Sequence, residues 1–200
     1  MFNDKYGLTR AVLEGRKTMT RRAVKFPTKF DWGFYHYPLK PVTQEGYRAF
    51  VELLDEDEFH FEPERYVSSQ YAVGEIVAIA QNYDQLVPIG EPCVIMGEYV
   101  AGKPGWLNKM FVKPEYMPHH IQITSIRVQN LQDISDEDCL KEGVVENHKY
   151  RYNHYPYVGK TYFDYSDPQE AFAALIDKVS GKGTWASNPL VWVYEFKLID

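Results

Sequence analysis

The stretch 189–199, near the end of the sequence, constrains the fold most. Large apolar side chains occupy every second position there, namely Trp192, Tyr194, Phe196 and Leu198. Alternation with a period of two is typical of a β-strand, and an extended segment of this kind needs neighbouring strands to be stable. The sequence therefore predicts a sheet that includes these residues.

Several other segments have the composition of short strands. They are bounded by turn residues and cover 16–24, 76–80, 92–100 and 120–128. In the last of these, the apolar alternation changes phase between Ile123 and Ile126, which indicates a β-bulge or a bend. Gly and Pro residues predict a loop over 102–118. Short strands with few helices predict an α+β, mainly β fold, built on a small mixed or antiparallel sheet or barrel.

Three helices are predicted from their ends as much as from their apolar faces. Residues 4–14 form a short amphipathic stretch that Gly15 can stop. Ser135 precedes three acidic residues and is a good N-cap. Asp167 as the cap and Pro168 at the first helical position begin the clearest helix, which ends at Gly181.

The length of 200 residues fits a single domain spanning 1–200 with insertions at about 27–70 and 146–166. Four prolines interrupt the first insertion, which holds one helix-like piece at 43–54 and an acidic run at 55–58 that suits a solvated face. The second insertion is rich in Tyr and His and has no periodicity, which predicts a loop.

Composition excludes several classes of protein. No window reaches the roughly 18 apolar residues of a membrane span, and the first residues lack an apolar signal core. The two cysteines, Cys93 and Cys139, are far apart and form no CxxC pair, which excludes a zinc ribbon or a disulfide scaffold. The six histidines show no metal-binding spacing. We therefore expect a cytoplasmic protein with no membrane partner, no metal and no cofactor.

Charge is distributed unevenly along a chain whose formal net charge is −6. Residues 1–40 contain nine basic and three acidic side chains, so this segment carries +6 and the remainder −12. Such an asymmetry indicates an anionic partner at the basic end, or pairing of that end with the acidic remainder of the same fold.

The basic segment contains a recognisable motif, Leu13-Glu14-Gly15-Arg16-Lys17-Thr18-Met19-Thr20-Arg21-Arg22. It resembles the opening motif of the ASCH domain family, an apolar helix followed by G-R-K-T-x-T-x-R. The order of later blocks at 71–77, 121–128, 131–143 and 188–196 is also similar, in particular to a phage- or prophage-associated branch. The resemblance does not extend to the two insertions.

This resemblance implies a PUA-like β-barrel with flanking helices that binds RNA or a nucleoside-like small molecule. Some small members of the family hydrolyse the amide of N4-acetylcytidine. By matching motifs, the implied catalytic set here is Lys17, Thr20 and Glu142. The implied ligand contacts are the other polar motif residues, Arg16, Thr18, Arg21 and Arg22.

The chemistry sets conditions that the fold must meet. The Thr20 hydroxyl needs a base, and Lys17 can act as one only if burial or neighbouring cations lower its pKa. Glu142 could hold the lysine, hold the substrate amine, or pass a proton to the leaving nitrogen. In a straight strand Lys17 and Thr20 would point to opposite faces. Their convergence requires a bend before the strand, or a lysine that reaches around it.

Three functions follow as hypotheses. The first is binding of RNA or a modified nucleoside through the cationic motif, and the second adds N4-acylcytidine amidohydrolase activity. The alternative is a non-catalytic protein-interaction module of phage or mobile-element origin, with the acidic insert 45–64 as its contact and a partner that the sequence does not identify.

Overall fold

The computed structural model describes residues 2–25, 39–40, 44–45, 48–53, 66–148, 151–153 and 165–200. Its helices are α1 (Leu8–Leu13), α2 (Tyr83–Leu86), α3 (Asp136–Lys141), α4 (Pro168–Ser180) and α5 (Thr184–Ser187). The strands in the first half of the chain are β1 (Met19–Ala23), β2 (Leu39–Lys40), β3 (Gln44–Glu45), β4 (Arg48–Leu53), β5 (Tyr66–Ser68) and β6 (Ile76–Ala78). The later strands are β7 (Val94–Ile95), β8 (Glu98–Tyr99), β9 (His120–Asn130), β10 (Val145–His148), β11 (Arg151–Asn153) and β12 (Leu190–Leu198).

The main sheet is antiparallel and has the order β1-β12-β9-β6. It curls into a half-barrel, and the few helices pack around it to give a mixed α and β architecture. The strand predicted at 189–199 is confirmed as β12, which pairs with β1 on one side and β9 on the other. The sheet agrees with the predicted α+β class, whereas the PUA-like barrel stays a prediction.

The bulge predicted in β9 is confirmed. Glu195 of β12 lies opposite Ser125 and the next residue, Phe196, lies opposite Ile123, so Thr124 is the extra residue. Because Thr124 takes up the additional position, Ile123 and Ile126 both contact the same core despite their odd spacing. The phase change in the sequence is the signature of this irregularity.

Both faces of the sheet are buried. One face packs around Trp192, Tyr194 and Phe196 together with the isoleucines of β9. The opposite face packs against α3 and α4 through a second cluster, whose members are Met19, Leu131, Ile134, Cys139, Val144, Ala171, Phe172, Val191 and Val193. β12 supplies side chains to both clusters, so it is buried on both faces.

The predicted caps of α3 and α4 are confirmed. The Ser135 hydroxyl accepts a hydrogen bond from the Asp138 N–H at 3.2 Å. Asp167 Oδ1 accepts from Gln169 N at 2.6 Å and from Glu170 N at 3.2 Å. At the other end of the chain, α1 starts later than predicted, since Asp4–Tyr6 form a separate 3₁₀ turn.

A small third core lies under the segment that follows β6, around Tyr83, Val100 and Met117. The single strand predicted at 92–100 is wrong, because β7 and β8 form a hairpin. Its two-residue turn has positive φ at both Met96 (47°) and Gly97 (81°), as a tight hairpin requires. The loop predicted over 102–118 is confirmed and contains two 3₁₀ turns, Lys109–Phe111 and Pro114–Tyr116.

Two predictions inside the insertions are wrong where the structure describes them. The helix predicted at 43–54 is replaced by strands, with β4 paired to β2, β3 and β5. The loop predicted at 146–166 contains the β10–β11 hairpin. The acidic run 55–58, and residues 149–150 and 154–164, lie outside the described residues. Within the described ranges, no helix has the length and apolar composition needed to cross a bilayer.

Candidate functional site

Lys17 lies in a bend between α1 and β1. Gly15 adopts a positive φ of 71°, and the N–H groups of Arg16 and Lys17 both donate to the Ala11 carbonyl at 2.9 Å. β1 begins only at Met19, so Lys17 precedes the strand and its side chain does not follow the strand's alternation. The bend that the catalytic hypothesis required is therefore present.

Glu142 caps the C-terminal end of α3, and its side chain and main chain both bind the lysine. Lys17 Nζ donates to Glu142 Oε2 at 2.6 Å and to the Glu142 carbonyl at 2.7 Å. The two side chains are only 2% and 6% exposed. The carbonyl is one of those that a helix leaves unpaired at its C-terminus, so the ammonium satisfies it. Of the roles predicted for Glu142, holding the lysine is the one that this geometry displays.

Arg21 extends the contact into a chain of alternating charges. Its Nη1 donates to Glu142 Oε1 at 3.0 Å and its Nη2 to Asp138 Oδ2 at 2.9 Å. Asp138 also accepts from Arg127, which in turn pairs with Glu195. Three cations thus alternate with three carboxylates from Lys17 to Glu195. Each of these six charged groups has a partner of opposite sign, which the deeply buried Lys17, Arg21 and Glu142 require.

The environment of Lys17 lowers the pKa of its amine. The largest cause is burial, which penalises the ammonium form, and the positive charges of Arg22 and Arg21 act in the same direction. Glu142 opposes them by attraction and hydrogen bonding. A lysine can act as a base only if its pKa is lowered, and the pKa of Lys17 is shifted in that direction.

The site opens into a cavity of about 930 Å³. Five of the residues predicted to form the site line it, namely Lys17, Thr20, Arg21, Arg22 and Glu142. Four aromatic side chains are also part of its lining, those of Phe2, Phe172, Trp192 and Tyr194. The lining includes six cationic side chains and two anionic ones, so the cavity is positive although the whole chain is negative.

Arg16 and Thr18, also predicted as ligand contacts, are not among the residues that line the cavity. The Arg16 guanidinium pairs with Glu14 at 2.6 Å. The main chain of Thr18 is used internally, since its N–H donates to the Lys141 carbonyl and its own carbonyl accepts from Phe196 N. Binding of a ligand by these two residues stays a prediction.

One wall of the cavity was not foreseen from the sequence. Lys109, from the 102–118 segment, donates to the Phe2 carbonyl, to Asp4 Oδ1 at 2.7 Å and to Thr9 Oγ1 at 3.1 Å. These bonds attach the segment to the N-terminal residues beside the cavity. No local pattern marks a lysine in a loop as the anchor of a distant segment.

Asp138 and Arg127 were also missed as members of the site, and here a signal existed. Asp138 and Glu142 are four residues apart and therefore lie on one face at the end of α3. Read together, they form a paired carboxylate motif facing the basic segment. Among the residues that the structure describes, no group of three or more His, Cys, Asp or Glu side chains is placed to hold a metal ion.

Comparisons with protein families, with curated proteins and with solved structures find no match to this chain. The ASCH resemblance, with its phage-associated branch, therefore stays a prediction carried by the motif residues.

Proposed function

We propose that the cavity binds a cytidine-like nucleoside, free or within RNA. The observation that carries the proposal is that Lys17, Thr20 and Glu142, the last more than 100 residues away from the other two in the sequence, line one cavity with Lys17 buried against Glu142. The volume suits a small ligand, because ligand pockets typically measure about 300–1,000 Å³. The aromatic lining offers rings for stacking on a base, and the excess of cations favours an anionic ligand.

A second candidate function, hydrolysis of an N4-acyl group, is favoured by the lowered pKa of Lys17. In this mechanism the neutral Lys17 amine takes the proton of the Thr20 hydroxyl as the oxygen attacks the acyl carbon. The bond from that carbon to N4 then breaks, and N4 receives the proton from Lys17 as the cytidine leaves. The positive cavity stabilises the oxyanion that forms in between.

Water completes the reaction. Lys17 takes a proton from a water molecule as the water oxygen attacks the acyl carbon of the Thr20 ester. The ester bond breaks, Thr20 regains its proton and a carboxylic acid is released. Glu142 holds Lys17 through both steps, and Arg21 acts through Glu142 as a positioning residue.

The test measures binding and turnover of N4-acetylcytidine separately. Thr20→Val removes the hydroxyl at nearly constant volume, so we expect deacetylation to be lost while the dissociation constant changes less than threefold. Thr124→Val is the matched control, since Thr124 is an exposed residue of β9 outside the cavity lining, and it should retain full activity. Binding of cytidine and of single-stranded RNA is measured by calorimetry with the same variants.

The outcomes separate the two functions. Binding of N4-acetylcytidine without turnover by the wild-type protein would remove the hydrolase and leave the binding function. Failure of N4-acetylcytidine, cytidine and single-stranded RNA to bind would reject both.

A further inference from the structure

The free edge of β1 presents main-chain groups to the cavity. Among the described strands, β1 lies at the edge of the main sheet and pairs only with β12. The Thr18 carbonyl accepts from Phe196 N, and Val24 N–H donates to the Leu190 carbonyl, both at 2.9 Å. Bonded and non-bonded residue pairs alternate along an antiparallel ladder. The N–H and C=O groups of Met19, Arg21 and Ala23 therefore point away from β12.

Of these three residues, Arg21 and Ala23 line the cavity, whereas Met19 is fully buried. Arg21 as a whole is 6% exposed although its side chain is only 1% exposed, so its accessible surface belongs mainly to the main chain. Within the described part of the chain, its N–H and C=O form no hydrogen bond. Arg21 thus offers a free donor and acceptor, while its guanidinium is occupied by Glu142 and Asp138.

Glu142 shows the opposite distribution. The residue is 4% exposed and its side chain 6%, so its accessible surface belongs to the side chain. The lining of the cavity therefore combines a main-chain donor, a main-chain acceptor and the side chain of a carboxylate. Polar groups fixed by a strand and a helix end are suited to select a ligand by its hydrogen-bonding pattern.

We infer that the main chain of Arg21 recognises the polar edge of the ligand ring, with its N–H donating to a ring nitrogen and its C=O accepting from the neighbouring exocyclic N–H. Cytosine presents this pair in its N3 and its 4-amino group, and proteins commonly read unpaired bases through this edge. The inference rests on the proposed nucleoside function and names its specificity element.

A peptide strand is the competing occupant of an open sheet edge. Only two outward-facing residues of β1 are open, because Met19 is buried at one end. Strand addition draws its affinity from a series of main-chain bonds, so this short edge suits a planar ring better than a peptide.

The first test compares three ligands by calorimetry on the wild-type protein. Cytidine carries both groups, 3-deazacytidine lacks the ring acceptor, and N4,N4-dimethylcytidine lacks the donor. We expect each analogue to bind about tenfold more weakly than cytidine, the effect of one lost hydrogen bond. Equal affinities would overturn the inference and leave the proposed function standing. Absence of cytidine binding would overturn the inference, whereas the proposed function is rejected only if N4-acetylcytidine and single-stranded RNA also fail to bind.

The second test observes the main chain directly by amide hydrogen exchange. Saturating cytidine should slow exchange of the Arg21 N–H at least tenfold, while the Arg22 N–H, which faces β12, serves as the internal control and should not respond. Unchanged Arg21 exchange in the presence of bound cytidine would overturn the inference. The peptide acetyl-Glu-Val-Glu-Val-Glu-amide tests the competing occupant. If it competes with cytidine and slows exchange of the N–H groups of both Arg21 and Ala23, the edge binds a peptide strand and the inference is overturned.

Discussion

At the scale of single residues, Lys17 shows how the fold determines chemistry. A buried ammonium loses several kcal/mol of hydration, and only good hydrogen bonds offset that loss. Here Glu142 supplies two of them, one from its carboxylate and one from its carbonyl. The opposing effects leave the pKa of Lys17 below its ordinary value of 10.5, so that less free energy is needed to reach the neutral amine.

This lowered pKa predicts a pH dependence of stability. Between the folded-state pKa of Lys17 and the unfolded value of 10.5, the unfolded chain binds more protons than the folded one. The contribution of Lys17 to the free energy of unfolding therefore rises with pH in that window, by at most about 1.4 kcal/mol per pH unit. Urea unfolding of the wild type and of Lys17→Met, compared from pH 7 to 10, should show the difference between them growing in favour of the wild type.

The comparison between variants is needed because other groups titrate nearby. Burial raises the pKa of the Cys139 thiol to about 12. The free energy of unfolding therefore falls as the pH rises above the ordinary pKa of a thiol, but this effect is the same in the wild type and in Lys17→Met. Lys182→Met, which removes an exposed lysine, is the control and should follow the wild type. A difference between wild type and Lys17→Met that stays flat or shrinks with pH would contradict the lowered pKa.

At the scale of helices and strands, the sequence predicted correctly those features that depend on interactions between neighbouring residues. The caps at Ser135 and Asp167 marked their helices correctly, since a cap forms with the next three residues. The β7–β8 hairpin was missed because its turn contains Met96 rather than the Asn or Asp that usually precedes Gly. The strand β4 was missed because apolar residues spaced like a helix face also occur across short strands joined by turns.

Packing of the third core supplies a prediction at this scale. A Cβ at Gly105 would lie 2.5 Å from a ring carbon of the buried Tyr83. Gly90 has a similar positive φ of 90° but nothing within 4 Å of such a Cβ. Both substitutions to Ala strain the backbone, and we expect Gly105→Ala to lose about 1–3 kcal/mol more than Gly90→Ala through overpacking. Thermal unfolding of the two variants measures the difference, and equal losses would contradict the close approach.

At the scale of the whole molecule, the charge asymmetry of the sequence has two outcomes in the structure. Lys17 and Arg21 pair with Glu142 and Asp138, as internal pairing predicted. Exposed cations also remain around the cavity, including Lys5 and Lys25, as an anionic partner would require. The sequence left these alternatives open because it could not show which cations face which carboxylates. Lys17 and Glu142 are 125 residues apart in the sequence, and their contact forms only when the fold brings these two segments together.

The positive cavity predicts that a phosphate strengthens binding. Cytidine 5′-monophosphate should bind about fivefold more tightly than cytidine at low salt, which corresponds to roughly 1 kcal/mol for one exposed charge pair. This difference in affinity between the two ligands should disappear at about 1 M salt, where charges are screened beyond about 3 Å. Lys25→Ala should reduce the difference in affinity at low salt, and Lys182→Ala should leave it unchanged. A difference that is insensitive to salt would contradict an electrostatic origin.

The position of β12 in the sheet has a consequence for biogenesis. β1 and β9 do not pair with each other, and β12, which comes after both in the chain, joins β1 to the pair formed by β9 and β6. During translation β1 therefore cannot join the pair of β9 and β6 until residues 190–198 have left the ribosome, and long-range pairing of this kind is slow to form. A nascent chain stalled before this point exposes unpaired strand edges to chaperones and proteases, and it cannot yet assemble the cavity that contains Lys17.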